Sequence, residues 1–93
     1  SHPLKPGGNV FGRRDGHDVV IPDGYVSGKH GLVEIDGDEA FVTDLGSTNG
    51  VFLKRAGEAS YGPRLQEPAA LADGDELAFG NLVFVFRQDE QQD

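Results

Sequence analysis

Three short polar stretches hold most of the chemistry this chain can offer: "GRRDG" (Gly12–Gly16), "SGKH" (Ser27–His30) and "LGSTNG" (Leu45–Gly50). Ser27, His30 and Asp44 are the parts of a nucleophilic triad, but the sequence supplies no nucleophile elbow and no helix to build an oxyanion hole. "SGKH" resembles the end of a nucleotide phosphate loop. Three residues rather than four separate Gly24 from Gly28, however, and His30 stands where Ser or Thr must bind magnesium. His2, His17 and His30 have no metal-ligand spacing, and "DGDEAFVTD" lacks the ligand pattern of a calcium loop. No metal, cofactor or catalytic residue is expected. What remains is non-covalent anion binding. Brought together, Gly12, Arg13, Ser27, Lys29, Thr48 and Asn49 would offer a guanidinium, an ammonium, hydroxyls, an amide and glycine-freed backbone N–H groups. Arginine binds phosphate bidentately, and hydroxyls and N–H groups complete its shell. The same residues admit a plainer reading, in which Ser47 and Thr48 cap a turn and Arg13 is a surface side chain. The residues alone leave both open.

Positioning such loops takes a scaffold of short strands. Runs rich in β-branched and aromatic residues predict strands at 9–13, 18–22, 32–36, 40–45, 51–54, 75–80 and 82–87. In "LVEID", Val33 and Ile35 share one face while Glu34 and Asp36 take the other. Turn signals fall about every ten residues, the rhythm of a sandwich or barrel. No stretch holds a helical period beyond two turns, and a single helical turn near 67–78 would be bounded by Pro68 and Gly74. The Asn49-Gly50 step is a strong hairpin signal, yet a two-residue turn has no need of Ser47 and Thr48. A structureless connection from Arg55 to Ala70 would be unusually long, so an edge strand is expected around Pro63–Leu65. In a sandwich the loops gather at the two ends, where loops from different strands converge.

Bulk properties narrow the partners. The 93 residues make one domain, and 14 glycines with 5 prolines favour a turn-rich all-β fold over a helical bundle. A formal net charge of −8 opposes nucleic-acid binding through a general basic surface, and no basic run suits an anionic membrane. No apolar run approaches the length of a membrane-spanning helix. An anion reader here must use a small positive site against an unfavourable overall field. The chain has neither cysteine nor methionine. The first excludes a disulfide framework and suits a reducing compartment. The expected location is the cytoplasm, or the nucleus of a eukaryote. The second, with Ser1-His2 at the start, makes residues 1–8 an expected extension or cloning remnant on a domain cut from a longer protein. Residues 9–87 are expected to form the domain and 88–93 a polar, disordered tail.

Taken in order, four motifs resemble a forkhead-associated (FHA) domain. They are Gly12-Arg13 at a strand end, Ser27-x-x-His30 with its serine fourteen residues after that arginine, "DLGSTNG", and "LADGDELAFG". The resemblance runs from about Val10 to Phe86. It implies a β-sandwich of two antiparallel or mixed sheets with about eleven short strands and ligand-binding loops at one end. It also implies a non-enzymatic module that binds phosphothreonine in partner proteins, preferring it to phosphoserine, and acts as a signalling or assembly adaptor.

By the same resemblance Arg13, the Ser27 hydroxyl, the Gly28 N–H and Thr48 meet the phosphate, and Asn49 holds the peptide main chain. Arg14 and Lys29 are auxiliary cations. Gly12, His30, Ser47 and Gly50 support the site from behind, with His30 structural rather than catalytic. The sequence departs from the pattern at Gly28, where many members carry Asn or Arg, at Lys54, and in the long 55–70 connection. A phosphate-independent interaction scaffold on the same sandwich is the alternative function.

Overall fold

The computed structural model describes residues 2–88 and consists of two β-sheets. Its strands are β1 (Gly7–Gly12), β2 (Val19–Val20), β3 (Gly31–Asp36), β4 (Glu39–Asp44), β5 (Val51–Lys54), β6 (Ala69–Ala70), β7 (Glu76–Phe79) and β8 (Leu82–Val85). One sheet has the order β2-β1-β3-β4-β6 and the other β5-β7-β8. All pairs are antiparallel except β1 with β2, where Phe11 faces Val19 and Gly12 faces Val20. Only a strand as short as β2 can pair in parallel after so short a connection. Residues 13–18 therefore bulge out beyond the end of β1.

The alternating pattern decides which side chains meet between the sheets. Val33 and Val42 from one sheet, and Val51, Leu77 and Phe79 from the other, are buried in one cluster with Phe11, Val19, Ile21 and Val26. Phe11 stacks on Phe79 with ring centroids 5.0 Å apart, and Phe84 meets both rings edge-on. Ile35 is half-buried on the Val33 face and Glu34 is exposed.

Several expectations need correction. Eight strands, not eleven, are formed among the described residues, and none of those residues is helical. The 67–78 segment holds β6, a turn and the start of β7 instead. The edge strand of the long connection lies at Ala69–Ala70 on β4, not at 63–65. Residues 62–65 do run along β5, with Gly62 N–H donating to the Leu53 carbonyl and Leu65 N–H to that of Val51, both at 3.0 Å. Pro63 has no N–H to extend that ladder. Asn49-Gly50 closes no hairpin, because β4 and β5 belong to different sheets and Asn49 keeps a negative φ.

At the start, the sheet begins at Gly7. The buried Asn9 amide ties the preceding segment down, donating to the carbonyls of Lys5, Gly7 and Val33 and accepting from the Lys5 N–H. Gln88 is held by Asp38 and Asp73. The rest of the expected tail, 89–93, lies outside the described residues.

The end of the sandwich away from the polar loops is organised by Asp75, only 2% exposed. Its carboxylate accepts from the N–H groups of Ala56 and Ala72, each at 2.9 Å, and from the Arg55 guanidinium at 2.8 Å. Burial pushes its pKa up, but those N–H groups and Arg55 outweigh burial and hold it below the ordinary carboxylate value. A carboxyl depressed in the folded state contributes stability above its unfolded pKa and loses it as pH falls through the folded one. Asp75→Asn should therefore lower stability at pH 7 by roughly 1–3 kcal/mol and shrink the loss of stability between neutral and acid pH. Urea unfolding at pH 7 and pH 3 measures both, and an unmoved midpoint at pH 7 would refute the role.

A candidate anion-binding site at one end of the sandwich

The loops 12–18, 22–30 and 44–50 leave the same end of the sandwich, and backbone bonding joins the first two. Arg13 N–H donates to the Ser27 carbonyl at 3.0 Å, Arg14 N–H to that of Gly28 at 3.2 Å, and His30 N–H to that of Phe11 at 2.9 Å. Gly12 is what permits this approach, because a Cβ there would lie 2.1 Å from the Gly28 carbonyl oxygen. The structure thus sets Arg13, Arg14, Ser27 and Gly28 side by side.

The third loop is fastened to the second at two points. Thr48 N–H donates to the Ser27 hydroxyl oxygen at 3.0 Å, and the Asn49 side-chain amide donates to the Tyr25 carbonyl at 2.8 Å. Within that loop Asp44 accepts the Ser47 N–H, and the Ser47 hydroxyl oxygen accepts the Gly50 N–H at 2.9 Å. Gly50 has φ +89°, a conformation that favours glycine, and it turns the chain into β5.

His30 lies beneath all three loops with no exposed surface. Its Nδ1 accepts the Ser27 N–H at 3.0 Å, which places the ring proton on Nε2, and Nε2 donates to the Gly50 carbonyl at 2.7 Å. The ring edge packs on Phe79 at 5.4 Å. Both ring nitrogens are committed to backbone, so His30 has none left to activate the Ser27 hydroxyl. Asp44, the remaining triad candidate, is bonded to Ser47 and Arg64.

Several groups remain to receive a ligand. Arg13 Nε donates to the Val26 carbonyl at 3.1 Å, and the terminal guanidinium nitrogens have no protein acceptor among the described residues. Ser27 accepts at Oγ and keeps its O–H to donate. The Gly28 N–H has no acceptor among the described residues. The space above Gly28 is occupied by Arg14, whose Nη2 would be 3.1 Å from a Cβ. Lys29 is exposed in the same loop. The Asn49 side-chain amide donates to the neighbouring loop, and its carbonyl oxygen has no partner among the described residues.

One participant escaped the sequence reading. Arg64, in the long connection, reaches back to Asp44 at 3.3 Å and to the carbonyls of Ser47 and Thr48. Burial raises the Asp44 pKa, but the hydrogen bonds from Ser47 and the charge of Arg64 bring it below the ordinary value. The available signal was an arginine inside a polar connection of a chain with twice as many acids as bases.

His30→Ala takes the acceptor from the part-buried Ser27 N–H and the donor from the buried Gly50 carbonyl. It should lower unfolding free energy by at least about 1–3 kcal/mol, read as the urea midpoint, and an unchanged midpoint would show that the ring braces nothing.

A family model described as FHA domain matches residues 9–80. FhaB of Mycobacterium tuberculosis is 45% identical over 47 residues, covering 50% of this chain and 30% of that protein. FhaA of the same organism is 31% identical over 87 residues, covering 94% of this chain and 15% of that protein. The chain thus spans less than a third of either relative. A solved structure from a study of phosphothreonine-dependent FHA domain interactions superposes with a TM-score of 0.81 at 31% identity, covering 95% of this chain and 83% of its own. The motif order, the two-sheet architecture and the match over 9–80 agree, and the chain belongs to the FHA-domain family.

Proposed function

We propose that this domain binds phosphothreonine-containing segments of partner proteins and acts as a signalling or assembly adaptor within a longer protein. FHA domains are binding modules, and no enzymatic role is assigned to this one. One observation carries the reading. Of the eight Lys and Arg residues, Lys5, Lys54, Arg55, Arg64 and Arg87 form ion pairs with carboxylates. The three without a carboxylate partner among the described residues are Arg13, Arg14 and Lys29, and all three stand in the loops that meet at Gly12 and Gly28. In a chain of net charge −8, these are the lysines and arginines left to meet an anion.

The roles follow from the free groups. The Arg13 guanidinium takes the phosphate, the Ser27 hydroxyl and Gly28 N–H donate to it, and Thr48 lies against it. Asn49 offers its carbonyl oxygen to a peptide N–H, and Arg14 and Lys29 add positive charge. Phosphothreonine carries about −1.5 to −2 charges at neutral pH. Each charge-assisted hydrogen bond is worth roughly 1.5–3 kcal/mol, and after ordering and desolvation the sum corresponds to roughly micromolar affinity.

A second reading, a phosphate-independent scaffold, draws on the edge strand β8. There Val83 and Val85 are 55% and 44% exposed, beside a cleft of about 870 Å³ lined by both apolar and polar residues. Unphosphorylated peptides separate the two readings.

Arg13→Ala should weaken binding of a fluorescent phosphothreonine peptide pool by roughly ten- to a hundredfold with an unchanged melting temperature. Retained affinity would place the site elsewhere. Replacing phosphothreonine by phosphoserine in a bound peptide removes one methyl and should weaken binding by about tenfold or more. Equal affinities in polarisation titrations would mean that no methyl pocket exists.

A further inference from the structure

The 55–70 connection does more than join β5 to β6. Two backbone bonds, Gly62 to Leu53 and Leu65 to Val51, lay residues 62–65 along β5. Pro63 stiffens the arm, and Leu65 packs against the core. Arg64 is the residue this arm carries to the foot of the 44–50 loop. Its Nε lies 3.3 Å from Asp44 Oδ2, Nη2 donates to the Ser47 carbonyl, and Nη1 makes a long 3.5 Å contact with the Thr48 carbonyl. Its aliphatic stem covers Gly50, where a Cβ would fall 2.8 Å from Cδ. Ser47 and the Asp44 side chain are largely buried, so these acceptors have little water to replace the arginine.

We infer that Arg64 is a positioning residue for phosphopeptide recognition, holding Ser47 and Thr48 so that Thr48 and Asn49 face the ligand. The inference rests on the phosphothreonine reading of the site. Arg64 acts through the loop and not on the phosphate, because its guanidinium is spent on loop carbonyls and Asp44. Thr48 and Asn49 each make one bond to the neighbouring loop, to Ser27 and Tyr25. Without the clamp, that single-bond anchorage would have to be re-formed each time a peptide binds, which lowers apparent affinity in proportion to the fraction of competent loop.

Arg64→Gln tests this in two arms, with Arg64→Lys as the conservative control. Amide hydrogen exchange on the free protein is read at Thr48 and Gly50 N–H, whose partners are Ser27 and Ser47 hydroxyls, and at Arg13 and Arg14 N–H as internal controls. Association and dissociation are read with a fluorescent phosphothreonine peptide pool. The expected result is about tenfold faster exchange at Thr48 and Gly50 alone, about tenfold weaker binding through slower association, a modestly lowered melting temperature, and partial recovery with lysine. Unchanged exchange at Thr48 and Gly50 would overturn the inference, as would exchange rising equally at Arg13 and Arg14, or faster loop exchange with undiminished peptide affinity. If the unsubstituted protein binds no phosphothreonine pool, the phosphopeptide reading fails, and the exchange arm still decides whether Arg64 holds the loop.

Discussion

Everything at the binding end depends on one buried imidazole that joins two backbone groups. Ser27 and Gly50 are far apart in sequence and belong to segments that enter different sheets, yet His30 bonds to both. A backbone N–H and a carbonyl at that depth must each find a partner, and here one rigid ring serves both. An amide side chain could also donate and accept. It would lack the ring surface that packs on Phe79, and with it the coupling of the loop end to the aromatic core. The loops are therefore referenced to the hydrophobic cluster rather than only to one another.

The charge distribution complements this mechanical constraint. An acidic chain that binds an anion must keep its own carboxylates from neutralising the site. Near the site Asp18 and Asp44 are engaged by Lys5 and Arg64, while Asp75 pairs with Arg55 at the far end, and all three are held below the ordinary carboxylate pKa. They stay ionised and occupied, and the loop cations stay free. The field that opposes an anion at long range is screened within about a Debye length, roughly 8 Å in physiological salt. A few cations at contact distance then decide binding.

The parts of this arrangement differ in how far the sequence revealed them. Strand content was legible because alternation such as Val33, Ile35 against Glu34 has a period no helix shares. The loop cluster was legible because Gly12-Arg13, Ser27-x-x-His30 and Asp44–Gly50 sit at fixed places relative to those strands. The path of the 55–70 connection was not. Its residues carry no alternation, and its placement comes from two isolated backbone bonds and from arginines whose partners are remote in sequence. Pro63 marked the region as edge-like without saying which sheet it would follow. Arg14 was legible as a cation, but its position over Gly28 depends on the approach of two loops, a tertiary fact that no local pattern encodes.

That connection also explains why the two ends of the sandwich are built alike. At each end a carboxylate accepts loop N–H groups and is met by an arginine from the same stretch of chain. Asp75 accepts from Ala56 and Ala72 and pairs with Arg55, while Asp44 accepts from Ser47 and pairs with Arg64. Asp75 is only 2% exposed and Arg55 about half exposed, so the carboxylate is the buried anchor and the arginine brings the connection to it. The same division holds at Asp44 and Arg64. One segment, fixed along β5 between these two arginines, thus spans the edge of the smaller sheet and closes a loop at each end. An insertion added merely as a surface loop would need neither arginine, whereas one that braces a recognition loop needs both: Arg55 to anchor its start, and Arg64 to deliver the contact.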